Sequence, residues 1–193
     1  MQPDSNLKID GDRLWSSLME MAQIGATPKG GVNRLTLTDL DRESRDLFRS
    51  WCAAAGCTMA VDQMGTMFMR RAGDDNTLPP VMIGSHLDTQ PTGGKFDGAL
   101  GVLAALEVVR SLNDLGIRTK HPIEVVNFTN EEGSRFAPAM LASGVLAGAF
   151  DLAYAYSRTD TEGRTFGEEL RRIGYAGSDA VGGRPVHAFF ELH

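Results

Sequence analysis

Cysteine is scarce in this sequence: Cys52 and Cys57 are the only two among 193 residues. Two thiols are too few for a disulfide scaffold and cannot alone make a zinc site. Basic excess is also lacking. The formal charge is −6 with a pI near 5.2, so the basic stripe that nucleic acid or an anionic membrane surface requires is missing. No long apolar run occurs; the longest uncharged stretch is the fifteen residues 136–150, interrupted by Pro138, Gly144 and Gly148. That is too short to cross a bilayer. The opening MQPDSNLKID holds no apolar leader core. These absences set the expectation of a cytoplasmic protein with no nucleic-acid and no membrane partner.

What is present is ordinary globular composition, 42% apolar and 23% charged, enough for a sizeable core. Glycine is over-used, at 22 residues. Apolar spacing predicts a first helix over 11–24 and a loop over 25–33. Thr38 with Asp41 three residues on reads as the cap of a helix running to about Gly56. Short strands are expected at 58–62 and 66–71. The apolar run ending in Gly84 then reads as a strand covered on both faces. A largely buried helix over 96–115 and a strand over 123–128 complete a βαβ unit, hence a parallel sheet. Helices are expected at 138–146, 147–156 and 166–173, and a last strand at 186–193. The fold class is α/β: a mixed, largely parallel sheet with helices on both faces.

Three clusters fall just past strand ends, where α/β sheets place ligands. In His86-Leu87-Asp88, residues two apart share a side of the chain, so a carboxylate can orient an imidazole toward a metal. An ordinary His–Asp surface pair is the plainer reading. Asp97, at the start of the buried helix, is either a cap or a ligand. Its glycine-rich loop, 93–98, matches neither GxxxxGK[ST] nor GxGxxG. Glu131-Glu132 is either a solvated turn or two acids dividing cation binding from proton transfer. His193 is a fourth ligand candidate. Together these form the imidazole and carboxylate set that hydrolytic zinc sites use.

At these residues the sequence resembles a known family. GSHLDTQPTGGKFDGALGVLAALE (84–107) and NFTNEEGSRFAPAMLASGVLAG (127–148) are similar to M20-type metallohydrolases of the hydantoinase/carbamoylase branch. That branch includes N-carbamoyl-L-amino-acid hydrolases, β-ureidopropionases and allantoate amidohydrolases. IGATPKGGVNRLTLTDLDRESRDLF (24–48) and HAFFELH (187–193) resemble it too.

The resemblance implies two divalent metal ions, zinc first, with manganese, cobalt or nickel as alternatives. It implies His86 and His193 on the first ion, Asp97 bridging, and Glu132 on the second. Asp88 would orient His86 and Glu131 would be the general base. The implied substrate is a small N-carbamoyl amino acid or related ureido compound; an aminoacylase or dipeptidase, and a non-catalytic metal-binding fragment, are the alternatives. Members of the branch are longer. The resemblance therefore implies that residues 1–193 are the N-terminal portion of the catalytic domain. A lid domain that also makes the homodimer, and the rest of the catalytic domain, would lie beyond. Such a part is expected to be inactive alone and prone to self-association through an open sheet edge.

Overall fold

The computed structural model describes residues 7–193; the first six residues, part of the segment read above for a leader core, lie outside it. Among the described residues no helix is long and apolar enough to cross a membrane.

Asp10 caps α1 (Gly11–Met21), its side chain accepting from the Arg13 amide. Leu18 and Met21 bury one face of that helix. The helix stops three residues short of the expected Ile24. Arg34 provides the reason: its buried guanidinium donates to the carbonyls of Met21 and Ile24 at 3.1 and 2.8 Å, and to Leu87 O at 2.8 Å. Carbonyls taken by a side chain no longer need another helical turn.

Thr38 caps α2 (Asp39–Ala54) as expected, accepting from Asp41 N. Asp41 reaches back to the Leu37 amide and pairs with Arg45 at 3.0 Å, both side chains buried. Arg45 in turn donates to Gly65 O and Thr129 Oγ1, tying α2 to the sheet.

β1 (Thr58–Val61) and β2 (Met67–Arg71) form a hairpin around Asp62, whose Oδ1 accepts from the Met64 and Thr66 amides. β3 (Val81–His86), α3 (Ala99–Asp114) and β4 (Ile123–Phe128) are the expected βαβ unit. Here α3 begins at Ala99 rather than Phe96, because Gly98 takes a left-handed φ of 64° just before it. Three short helices follow: α4 (Leu141–Leu146), α5 (Leu152–Tyr156) and α6 (Phe166–Arg172), the last closed by a Thr165/Glu168 capping box.

The expected eight-residue final strand is corrected to three residues, β5 (Ala188–Phe190). Residues 184–186 do not join the ladder, and at 187 only the amide pairs, donating to Pro80 O at 2.9 Å. They are held instead by Arg184, which grips buried Glu124 at 2.8 and 3.1 Å and lies over the Phe68 ring, and by His187 stacked on His121.

The sheet order is β1-β2-β4-β3-β5. The β1/β2 and β2/β4 pairs are antiparallel; β4/β3 and β3/β5 are parallel. Only β2 therefore runs against the others, and the sheet is mixed, with two of its four pairings parallel. Alternation splits the strands between two faces. Met67, Met69, Ile123 and Val125 join the main core with α1, α2 and α3. Phe68, Met82, Val126 and Phe128 form a smaller cluster on the other face, with Leu146 of α4 against it.

Candidate metal centre

Parallel strands β3, β4 and β5 end at one edge of the sheet, and the candidate residues gather there. His86 is the last residue of β3, Glu131 and Glu132 follow β4, His193 follows β5, and Asp97 precedes α3. One ligand atom each from His86, Asp97 and His193 lies within 4.8 Å of the other two. His86 Nε2 is 3.2 Å from His193 Nε2, and His193 Nε2 is 3.6 Å from Asp97 Oδ1. Glu131 Oε2 stands 3.3 Å from His86 Nε2.

The chemistry of this donor set suits a cation. His86 Nδ1 is 2.8 Å from the Asp88 carbonyl oxygen, which can only accept, so Nδ1 carries the proton and Nε2 presents its lone pair. Two imidazole nitrogens bound tetrahedrally at zinc's usual bond length stand about 3.3 Å apart. The observed 3.2 Å matches that edge. Gly98 closes the cradle: a Cβ there would sit 2.4 Å from His86 Nε2.

Asp88 contributes differently from the expectation. Its carboxylate is 3.9 Å from His86 Nδ1, so its backbone carbonyl, not its side chain, orients the ring. The carboxylate accepts the amides of Glu131 and Glu132 at 3.2 and 3.3 Å and so fixes the acidic loop. Burial pushes the Asp88 carboxyl up, while the facing His86 pulls it down.

Glu132 stands apart from the triad. Its Oε2 accepts from Gln90 Nε2 at 3.0 Å, and its Oε1 is buried without a hydrogen-bond partner among the described residues. A buried carboxylate oxygen without a hydrogen-bond partner is a donor that a cation can take up. A separate hollow of about 460 Å³ surrounds Arg135, but that guanidinium is already shared between Asp160, Glu169 and Thr36 O.

Arg34, Gln90, Ser85 and Glu191 were not singled out from the sequence. Gln90, Ser85 and Glu191 lie inside the quoted motifs, one to four residues from a candidate ligand. Their roles depend on partners 42 to 106 residues away, which spacing does not reveal.

Comparison with known proteins gives a consistent picture. The model of peptidase family M20/M25/M40 matches residues 82–193. The chain is 64% identical, over 99% of its length, to an N-carbamoyl-L-amino-acid amidohydrolase of Rhizobium meliloti, of which it covers 46%. It is 36% identical to a ureidoglycolate hydrolase of Arabidopsis thaliana, covering 89% of this chain and 37% of that one. The crystal structure of a hydantoinase/carbamoylase family amidase from Burkholderia multivorans superposes with a TM-score of 0.97 at 67% identity. That match covers 98% of this chain and 46% of the other. The chain thus spans about half the length of the relatives it matches.

Proposed function

Because this chain belongs to peptidase family M20/M25/M40, in its hydantoinase/carbamoylase branch, we propose that it carries the first part of the catalytic domain of a metal-dependent amidohydrolase. Its substrates are N-carbamoyl-L-amino acids, cleaved at the ureido C–N bond to the amino acid, carbon dioxide and ammonia. The observation that carries the reading is the convergence of His86, Asp97 and His193, from three separate segments, beside Glu131.

In this proposal His86, Asp97 and His193 would hold one divalent ion and Glu132 would help to hold a second, zinc being the first candidate. When bound, such ions supply Lewis acidity to the ureido carbonyl and make a water nucleophilic near neutral pH. Glu131 takes the proton of the attacking water and returns it to the departing amine nitrogen. The C–N bond breaks as the new C–O bond is kept. The carbamate released then falls apart to carbon dioxide and ammonia. Asp88 keeps Glu131 at its station through the loop amides, and keeps His86 in the tautomer that leaves Nε2 free. The second ion's histidine, the oxyanion donor and the grip on the substrate carboxylate are assigned to polypeptide outside these residues. A homodimer-forming lid is assigned there too, as part of the proposal. The likeness to a ureidoglycolate hydrolase supports keeping a related ureido compound as the alternative substrate.

The test is a chimaera in which residues 1–193 replace the matching part of the Rhizobium meliloti relative. It should release amino acid from N-carbamoyl-L-amino acids, and Glu131→Gln should lower the rate by about 10²–10⁴-fold. Turnover of dipeptides or N-acyl amino acids with none of N-carbamoyl substrates would contradict the proposal.

A further inference from the structure

The β3/β5 ladder ends at Ile83 and Phe190, three residues before His193. Beyond that point backbone pairing no longer sets where the terminal imidazole goes, yet its Nε2 stands 3.2 Å from that of His86. Two contacts hold the intervening chain. Buried Ser85, next to His86 in sequence, donates its hydroxyl to Glu191 Oε1 at 2.6 Å. That is the length of a charge-assisted O–H···O⁻ bond. The Leu192 carbonyl lies against α3 at Gly101, where a Cβ would come within 2.4 Å of Leu192 O and 2.8 Å of Ser85 Cβ. A larger residue at 101 would push both strand ends away from the helix.

We propose that Ser85 and Glu191 are a positioning pair for His193. Their hydrogen bond takes over where the ladder stops and presets the two imidazoles at the spacing a cation needs. Glu191 lies outside the cluster of His86, Asp97 and His193, so it acts through the chain and not as a ligand. The pair joins residues close to the two histidines, Ser85 directly before His86 and Glu191 two before His193. Slack at either would separate the ring nitrogens. Placing the tether on side chains also leaves the backbone of residues 191–193 free to leave the sheet. This inference rests on the metal-centre reading above.

The test measures Zn²⁺ affinity of the 193-residue chain by competition with a chromogenic chelator, alongside thermal melting. Variants are Ser85→Ala, Glu191→Ala, Glu191→Gln and His86→Ala. Glu191 is exposed, so its variants keep the fold even if Ser85→Ala does not. His86→Ala should abolish binding. Ser85→Ala and Glu191→Ala should weaken it about 10–100-fold, as outer-shell partners of metal ligands do. Glu191→Gln keeps an acceptor for Ser85 and should recover most of the affinity. Wild-type affinity in both alanine variants would overturn the positioning role and leave the centre standing. Equal loss in Glu191→Ala and Glu191→Gln would overturn it too, since the charge rather than the hydrogen bond would then matter. Undiminished binding in His86→Ala, or none in the wild type, would overturn the centre and this inference with it.

Discussion

Asp62 sits at the tip of the first hairpin with one carboxylate oxygen on two amides and the other buried without a partner among the described residues. Burial outweighs those amides and pushes its carboxyl up from 3.8 to about 6. The folded state therefore keeps the Asp62 proton up to about pH 6, whereas the unfolded chain releases it near pH 4. Between those values the folded state binds more protons, so stability falls as pH rises and the loss is complete above about pH 6. Holding a proton over that interval is worth about 3 kcal/mol. Asp62→Asn keeps the accepting Oδ1 and has no proton to lose. Relative to this variant, wild type should lose about 2 kcal/mol between pH 4 and pH 7 in urea unfolding. An equal difference at both pH values would rule this out. Asp62 had no signal in the sequence beyond marking the end of a strand. Arg34 likewise had no signal, falling just past the loop expected over 25–33, although it closes α1 and reaches the chain between β3 and the centre. A buried charge is invisible to apolar periodicity, because its cost is met by partners far away in sequence.

Among the elements, β3, α3 and β4 were legible because apolar residues dominate them, and β4 is buried at every position. The Thr38 and Thr165 caps follow from local chemistry. Ends were less legible. The start of α3 depends on Gly98 yielding to the His86 ring, and the end of α1 depends on Arg34. The eight-residue strand expected from VHAFFELH rested on Val186 and the two phenylalanines, while pairing with β3 covers only residues 188–190. That shortfall leaves an element with consequences. Val186, Phe189, Phe190 and Leu192 are all exposed, and β5 pairs along one side only. Open apolar edges invite pairing with other chains. Sedimentation velocity should find self-association of the 193-residue chain, reduced by Phe190→Lys. A monodisperse wild-type monomer with no response to that substitution would contradict this reading of the edge.

Across the whole molecule, one parallel edge collects six groups that no local stretch of sequence holds together: His86, Asp88, Asp97, Glu131, Glu132 and His193. Each could be picked out in the sequence because it follows or precedes an identifiable element. Their geometry was not legible there, since the approach of His193 to His86 spans 107 residues and depends on strand order. The most direct test is X-ray absorption at the zinc edge of the zinc-loaded chain. The account expects zinc bound by two imidazoles at about 2.0–2.1 Å together with carboxylate oxygen, with one imidazole signal lost in His193→Ala. A spectrum of oxygen ligands alone, or one unchanged by His193→Ala, would contradict the central claim that these strand ends form a metal centre.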